Sequence, residues 1–367
     1  MSALLLKNVS KVYPGDQQAI KDLSLEIKDR EFLILAGPTG CGKSTLLRMI
    51  AGLEEVTSGT VFIDGIDMTD TEPKDRNLAM LFKNNVLYQG MNVYDNLVFA
   101  LRIGKIQQTE IDRRVKETAE LLELEPLLER MPEELSEEEN YRVLIGRAVI
   151  REPGLLLLDS TMARMEHKLQ TRVCRELKNL CEKMGLTVIY VTDNQEVAKA
   201  LGTRILVMND GAVCQAGTPD EIFDHPCCQM VAGFWEPSMN LIPAVVFEEG
   251  GRVGLQFEGG QVFLPDEAGE ALREGEYPGK EVVMGIRPDA LLLSKDSVTT
   301  DGSLTAVIGE TESAGEKTLL KFQTGDTECA AFAVSNTNLT AGEQVVFAMA
   351  GNKVHVFDKD TEKAVIK

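Results

Sequence analysis

Apolar residues follow two different rhythms along this chain, and the change lies near residue 236. Before it, short unbroken apolar runs alternate with amphipathic stretches. Phe32 to Ala36, Leu155 to Leu158, Thr187 to Val191 and Ile205 to Met208 read as buried strands, while Ser44 to Ala51 and Leu169 to Met184 read as helices. Runs without polar alternation suit strands covered on both faces, so the expected fold class is α/β, with a mostly parallel sheet between helices. Ile111, Val115, Ala119 and Leu122 share one helical face, and Thr109 with Asp112 reads as a capping box ahead of them. A helical insert is therefore expected from about Asn84 to Pro132, taken as a whole to about residue 150. After Pro237 the stretches shorten and alternate, as in Val253 to Phe257, Leu319 to Phe322, Val345 to Met349 and Val354 to Phe357. With Gly250-Gly251 and Gly259-Gly260 as turns, they predict a small β domain or a pair of barrels. The expected domains are residues 1–235 and 236–367.

Between the first strand and the first helix lies Gly37-Pro38-Thr39-Gly40-Cys41-Gly42-Lys43-Ser44-Thr45, the spacing of a phosphate-binding P-loop. The three glycines let the backbone curl so that amide groups at the helix N-terminus face an anion. Lys43 is expected to reach the β- and γ-phosphates and Ser44 to ligate Mg²⁺.

Composition narrows the setting. A formal charge of −20 argues against an electrostatic grip on nucleic acid or on anionic lipid. The seven cysteines form no paired framework, and Met1 to Leu6 is too short for a signal core, which together fit a reducing cytoplasm. No apolar run approaches membrane-spanning length, so any membrane role is expected through partners. His225-Pro226-Cys227-Cys228 lacks a recognised zinc spacing and reads as a reduced surface turn.

With these residues in place, the chain resembles the ATPase subunit of an ATP-binding-cassette importer of the maltose and oligosaccharide type. The likeness is carried by Tyr13, the P-loop, Leu135-Ser136, Tyr141-Arg142-Val143, Ile145-Gly146-Arg147-Ala148, Leu155 to Asp159 and Asn209-Asp210-Gly211. Gly217-Thr218-Pro219, Ser238-Met239-Asn240, Gly285-Ile286-Arg287-Pro288 and Phe357-Asp358 extend it to the subfamily with a C-terminal, OB-like regulatory β domain. The resemblance implies a P-loop ATPase domain with an inserted helical subdomain. It also implies ATP and Mg²⁺ as ligands, Tyr13 stacking adenine, Asp159 holding Mg²⁺ with Ser44, and two subunits sandwiching two ATP molecules. Transmembrane permease subunits are the implied partners, docking where Leu87-Tyr88, Met91, Val93-Tyr94 and Asn96-Leu97 follow the family pattern. The implied location is the cytoplasmic face of the cell membrane, and the implied solute a carbohydrate.

The departures from that pattern fall in the chemistry. Lys83 replaces the Gln that senses Mg²⁺ and water, Ser160 replaces the general-base Glu, and Asp193 replaces the switch His. The signature LSGGQ reads Leu135-Ser136-Glu137-Glu138-Glu139, and the loop SNLD reads Ala163-Arg164-Met165-Glu166. Loss of a positioned base commonly costs about 10² to 10⁴ in rate. A carboxylate about 4 Å from a phosphate charge is repelled by roughly 4 kcal/mol at an effective dielectric near 20. Ser136 and Glu139 form a second capping-box pattern, with Glu137 and Glu138 in the first helical turn. Glu137 and Glu138 either repel the partner's nucleotide in trans or simply stabilise a solvated helix. Lys83 either pairs with Asp159 or Asp193, reducing the need for Mg²⁺, or points to solvent.

Three functions follow: an importer subunit that binds ATP but hydrolyses it slowly or not at all, as a homodimer or paired with an intact paralogue; a regulator or scaffold outside transport; or an active ATPase in which Glu166 replaces the base.

Overall fold

The computed structural model describes residues 4–162, 165, 167–235, 238–294, 301–314, 317–334 and 339–366. The chain divides into two compact units, Met1–Asp220 and Glu221–Lys367.

The first unit begins with strands β1 (Leu4–Tyr13), β2 (Gln17–Ile27) and β3 (Phe32–Ala36), then helix α1 (Lys43–Ala51). Strands β4 (Ser58–Ile63), β5 (Ile66–Asp67) and β6 (Leu78–Leu81) follow, then helices α2 (Val93–Ile103), α3 (Gln108–Leu122) and α4 (Glu137–Val149). The remainder is β7 (Leu155–Asp159), α5 (His167–Met184), β8 (Thr187–Val191), α6 (Gln195–Leu201), β9 (Arg204–Asn209) and β10 (Ala212–Gly217), and α7 (Pro219–Asp224) carries the chain into the second unit. One sheet runs β10-β9-β3-β8-β7-β6, parallel except for the β9–β10 pair. Every residue of β3, β7 and β8 is buried, as expected for strands covered on both faces. A second, antiparallel sheet, β2-β1-β4-β5, was not read from the sequence. Its signal is a period of two: Leu23, Leu25 and Ile27 are buried, with Ser24 and Glu26 exposed between them.

The helical insert is present as α2, α3 and α4, although between Asn84 and Asn92 the chain is not helical. The capping box expected at Thr109 and Asp112 is not formed. Helix α3 starts earlier, with Gln107 at the N-cap, and Asp112 Oδ1 accepts a bond from Gln108 Nε2 at 2.7 Å inside the helix.

The second unit holds α8 (Gln229–Gly233), β11 (Asn240–Glu249), β12 (Arg252–Phe257), β13 (Gly260–Phe263), α9 (Asp266–Glu274), β14 (Glu281–Ile286) and β15 (Leu292–Leu293). Strands β16 (Gly302–Ala314), β17 (Lys317–Thr324), β18 (Thr327–Val334), β19 (Gln344–Met349) and β20 (Val354–Asp358) complete it. They form one antiparallel sheet, β15-β19-β16-β13-β12-β11-β14-β20, with β17 added on β16 and β18 on β17. Leu255, Val262, Leu272, Met284, Leu304, Leu320, Phe347 and Val356 lie in its core, so the predominantly β expectation holds. Among the described residues, no helix is long and apolar enough to cross a membrane.

Candidate nucleotide site and docking groove

The parallel sheet brings three loops to one edge. Strand β8 lies between β3 and β7, with Val191 paired to Leu35 on one side and Asp159 on the other. The loops after β3, β7 and β8 therefore share the carboxyl end of the sheet, where α/β folds bind ligands.

The first loop is the P-loop. Gly37 has φ 139°, and a Cβ there would lie 2.1 Å from the Met208 carbonyl oxygen; Gly42 has φ 105°, with Ala19 O only 2.5 Å from its would-be Cβ. Neither position accepts a side chain. Thr39 and Gly40 form the exposed tip, Pro38 and Thr45 are half-buried, and Cys41 is buried. Lys43 Nζ donates to Gly37 O at 2.6 Å and Pro38 O at 2.7 Å, so its ammonium is curled into the loop. Tyr13 ends β1, with Lys11 Nζ 5.1 Å from its ring centroid and Lys11 paired to Glu54 at 2.7 Å.

The second loop follows Asp159, which is 8 % exposed and accepts a bond from Ser44 Oγ at 3.2 Å. A carboxylate and a hydroxyl side by side offer the hard oxygen donors that suit Mg²⁺. Ser160 adopts a left-handed φ of 51°, and its amide donates to Val191 O at 3.1 Å. Thr161 Oγ1 lies 3.2 Å from the hydroxyl of the buried Tyr141 on α4. Burial pushes the Tyr141 phenol well above its ordinary pKa. Glu166, the substitute base considered above, lies outside the described residues, as do Ala163 and Arg164.

The third loop contains Thr192, Asp193 and Asn194. Thr192 is buried and its amide donates to Leu35 O at 3.3 Å, whereas Asp193 is exposed. Gln170, which sequence reasoning did not single out, connects this loop to the second. Its Nε2 donates to Met162 O at 2.9 Å and Met165 O at 3.0 Å, and its Oε1 accepts from Asn194 Nδ2 at 3.0 Å. Lys83 is exposed and pairs with neither Asp159 nor Asp193 among the described residues, so it points to solvent.

The three acids of the altered signature have separate environments. Ser136 Oγ accepts from Glu139 N at 3.3 Å and Glu139 Oε2 from Ser136 N at 2.8 Å, which completes the expected capping box. Those bonds, with help from Arg130, hold the Glu139 carboxyl below the usual carboxylate range. Glu138, 12 % exposed, pairs with Arg142 at 2.5 Å and with Arg172. Arg142 in turn binds Glu176 through two bonds of 2.9 Å each. Only Glu137 presents an exposed carboxylate with no ion pair among the described residues.

Away from these loops, a groove of about 330 Å³ opens between the sheet and the helical insert, with Leu53, Leu78, Met80, Phe82, Tyr88 and Phe99 among its walls. Asn96 is buried behind the groove and fixes the turn that carries Tyr88. Its Oδ1 accepts from Tyr88 N at 2.8 Å, while Nδ2 donates to the carbonyls of Tyr88, Met91 and Asn92 at 3.1, 2.9 and 3.0 Å. This leaves Tyr88 and Phe82 exposed beside buried Leu87, Val93 and Leu97. Arg147 lies over the Tyr88 ring at 4.8 Å, and its buried Nη1 has no hydrogen-bond partner among the described residues. Lys74 and Arg151 also line the groove, so its charged residues are all cationic.

Comparisons with known proteins agree with this architecture. Residues 20–163 match the family model for ABC transporters, residues 236–291 that for the MalK OB fold domain, and residues 284–357 that for the TOBE domain. The chain is 41 % identical to the trehalose/maltose import ATP-binding protein MalK of Thermococcus litoralis, over all of both chains. It is 38 % identical, again over all of both chains, to the sn-glycerol-3-phosphate import ATP-binding protein UgpC of Escherichia coli. Among solved structures, cbiO1 of Clostridium perfringens, part of the ABC transporter complex cbiONQ, superposes with a TM-score of 0.57 at 25 % identity. That match covers 60 % of this chain and 90 % of cbiO1.

Proposed function

We propose a function on the premise that the chain belongs to the ATP-binding subunits of ABC transporters, the family of its full-length relatives. Within it, the chain acts as the nucleotide-binding subunit of an importer that retains ATP while hydrolysing it slowly or not at all. The observation that carries this reading is the contrast at the end of β7. Asp159 meets Ser44 at 3.2 Å beside a P-loop that only glycine can form, yet the next residue is Ser160. A serine hydroxyl is no base near neutral pH, so triphosphate and Mg²⁺ have a cradle without a group to activate water. Bound Mg²⁺ would neutralise phosphate charge; Ser44 and Asp159 would hold it, and Lys43 would leave its loop carbonyls for the phosphates. Since Lys83 meets neither carboxylate, it offers no substitute for that metal.

Assembly follows from the groove. Its exposed aromatic residues and unpaired Arg147 Nη1 suit a segment of a transmembrane permease subunit, and with such a partner the chain would sit on the cytoplasmic face of a membrane. The solute, by analogy with the trehalose/maltose and glycerol-phosphate proteins, is a carbohydrate or polyol phosphate. Residues 1–235 serve as the nucleotide-binding domain and 236–367 as a regulatory domain. The chain forms a homodimer or a heterodimer with an intact paralogue. In the heterodimer one composite site lacks the base and the other receives the acidic signature, so both are expected to be slow.

The test measures ATP binding and phosphate release by the purified chain, alone and mixed with an intact paralogue from the same source. Measurable ATP binding with negligible release, and co-purification with permease subunits that is lost in Tyr88→Ala, is the expected result. Steady phosphate release by the chain alone, abolished in Lys43→Ala, would refute impaired hydrolysis.

A further inference from the structure

The loops after β7 and β8 are joined by one side chain. Gln170 spends both amide hydrogens on the Met162 and Met165 carbonyls and takes a bond from Asn194 on its oxygen. Asn194 is also committed elsewhere: its Oδ1 accepts from Val197 N at 3.1 Å as the N-cap of α6, and its backbone N–H donates to Thr192 Oγ1 at 3.1 Å. Asp193 is thus held between a buried residue and a tethered one. It stands two residues beyond Val191, which pairs with both Leu35 and Asp159, so the P-loop and the Asp159 carboxylate flank its strand. A carboxylate on a loose loop would swing away from an incoming anion. Here the backbone on both sides is fixed.

We propose that Gln170 is a positioning residue which, through Asn194, holds the Asp193 carboxylate at the terminal-phosphate end of the site, so that the site prefers a nucleoside diphosphate to a triphosphate. This rests on the nucleotide-binding reading above. A γ-phosphate would add negative charge beside the loop that carries this carboxylate, whereas a diphosphate would end one phosphate short of it.

Titration calorimetry of the full chain with ADP and with a non-hydrolysable ATP analogue, both with Mg²⁺, tests the proposal in wild type, Gln170→Ala, Asp193→Asn and the double variant. Wild type should bind ADP more tightly. Asp193→Asn should move the affinity ratio toward the triphosphate by about fivefold, the size of an exposed charge interaction. Gln170→Ala should move it the same way by less, and the double variant no further than Asp193→Asn. Gln170→Glu, which cannot donate to the two carbonyls, should resemble Gln170→Ala. A ratio unchanged in Gln170→Ala, even with lowered thermal stability, would show a purely structural residue and overturn the proposal. A Gln170→Ala shift that persists undiminished in the Asp193→Asn background would overturn it too. If wild type binds neither nucleotide, the nucleotide-binding reading falls, and the proposal falls with it.

Discussion

Replacing Glu138 with Gln should weaken the fold and leave the partner's nucleotide untouched, while Glu137→Gln should do the reverse. Glu138 is 12 % exposed and bonded to Arg142, itself 17 % exposed, at 2.5 Å, with Arg172 as a second partner. Its negative charge is already answered within its own subunit. Removing one partner of a fully buried pair costs about 3–5 kcal/mol, and an exposed pair is worth at most about 1 kcal/mol. Arg142 keeps Glu176 through two bonds and Glu123 at 3.4 Å, so the substitution leaves no orphaned cation. The cost should therefore fall near the lower bound, about 1–2 kcal/mol. At roughly 2–4 °C per kcal/mol for a unit of this size, the melting temperature should drop by about 2–8 °C. Calorimetric melting reads that loss. Titration of an ATP analogue into a complex with an intact paralogue reads the affinity in trans, which should rise only in Glu137→Gln and by less at high salt. Equal gains in trans from both variants, with no melting shift in Glu138→Gln, would refute this division of roles.

Two further outcomes follow from the geometry. Gly37→Ala places a methyl group 2.1 Å from the Met208 carbonyl at φ 139° and should abolish nucleotide binding while costing about 2 kcal/mol or more. Gly40→Ala, at φ 86° with nothing within 4 Å, should cost about 1 kcal/mol, as seen by denaturant unfolding of both variants. In the second unit, burial, reinforced by Arg287 and His225, lowers the His355 pKa from 6.5 to about 4, although Asp224 opposes the shift. Between those values the unfolded chain binds more protons than the folded one, so stability is full above about pH 6.5 and declines toward pH 4, by at most about 3 kcal/mol. Unfolding followed against pH should show that slope in wild type and a flatter one in His355→Gln.

The elements legible in the sequence are those whose local pattern admits one environment. Phe32–Ala36 and Thr187–Val191 match their predicted bounds because an apolar run of five, or of four after Thr187, has only the sheet interior to occupy. Gly37 and Gly42 announce the P-loop because backbone atoms of Met208 and Ala19 exclude every other residue. The first antiparallel sheet escaped because its strands are only half apolar and their burial depends on a face supplied by distant residues. Gln170 and Arg172 escaped for a related reason. Both lie on α5, and nothing local says which loop an amide or guanidinium there will meet once the helix packs.

The altered positions also divide by whether the fold satisfies them internally. Glu139 closes its own helix cap and Glu138 is paired with arginines. These groups are internally compensated, so restoring the family residues there should change stability more than chemistry. Ser160, Asp193 and Glu137 are different, because their partners in any reaction would be water or phosphate. On the proposed reading Ser160 supplies no base, Asp193 would repel the terminal phosphate, and Glu137 would repel it from across an interface. Groups that act together on one transition state are not additive, so Ser160→Glu alone would supply a base to a site still unfavourable to the triphosphate. On this reasoning the barrier to turnover belongs to the set, and the carboxylate clamped through Gln170 and Asn194 is the member that binding measurements can isolate without any turnover.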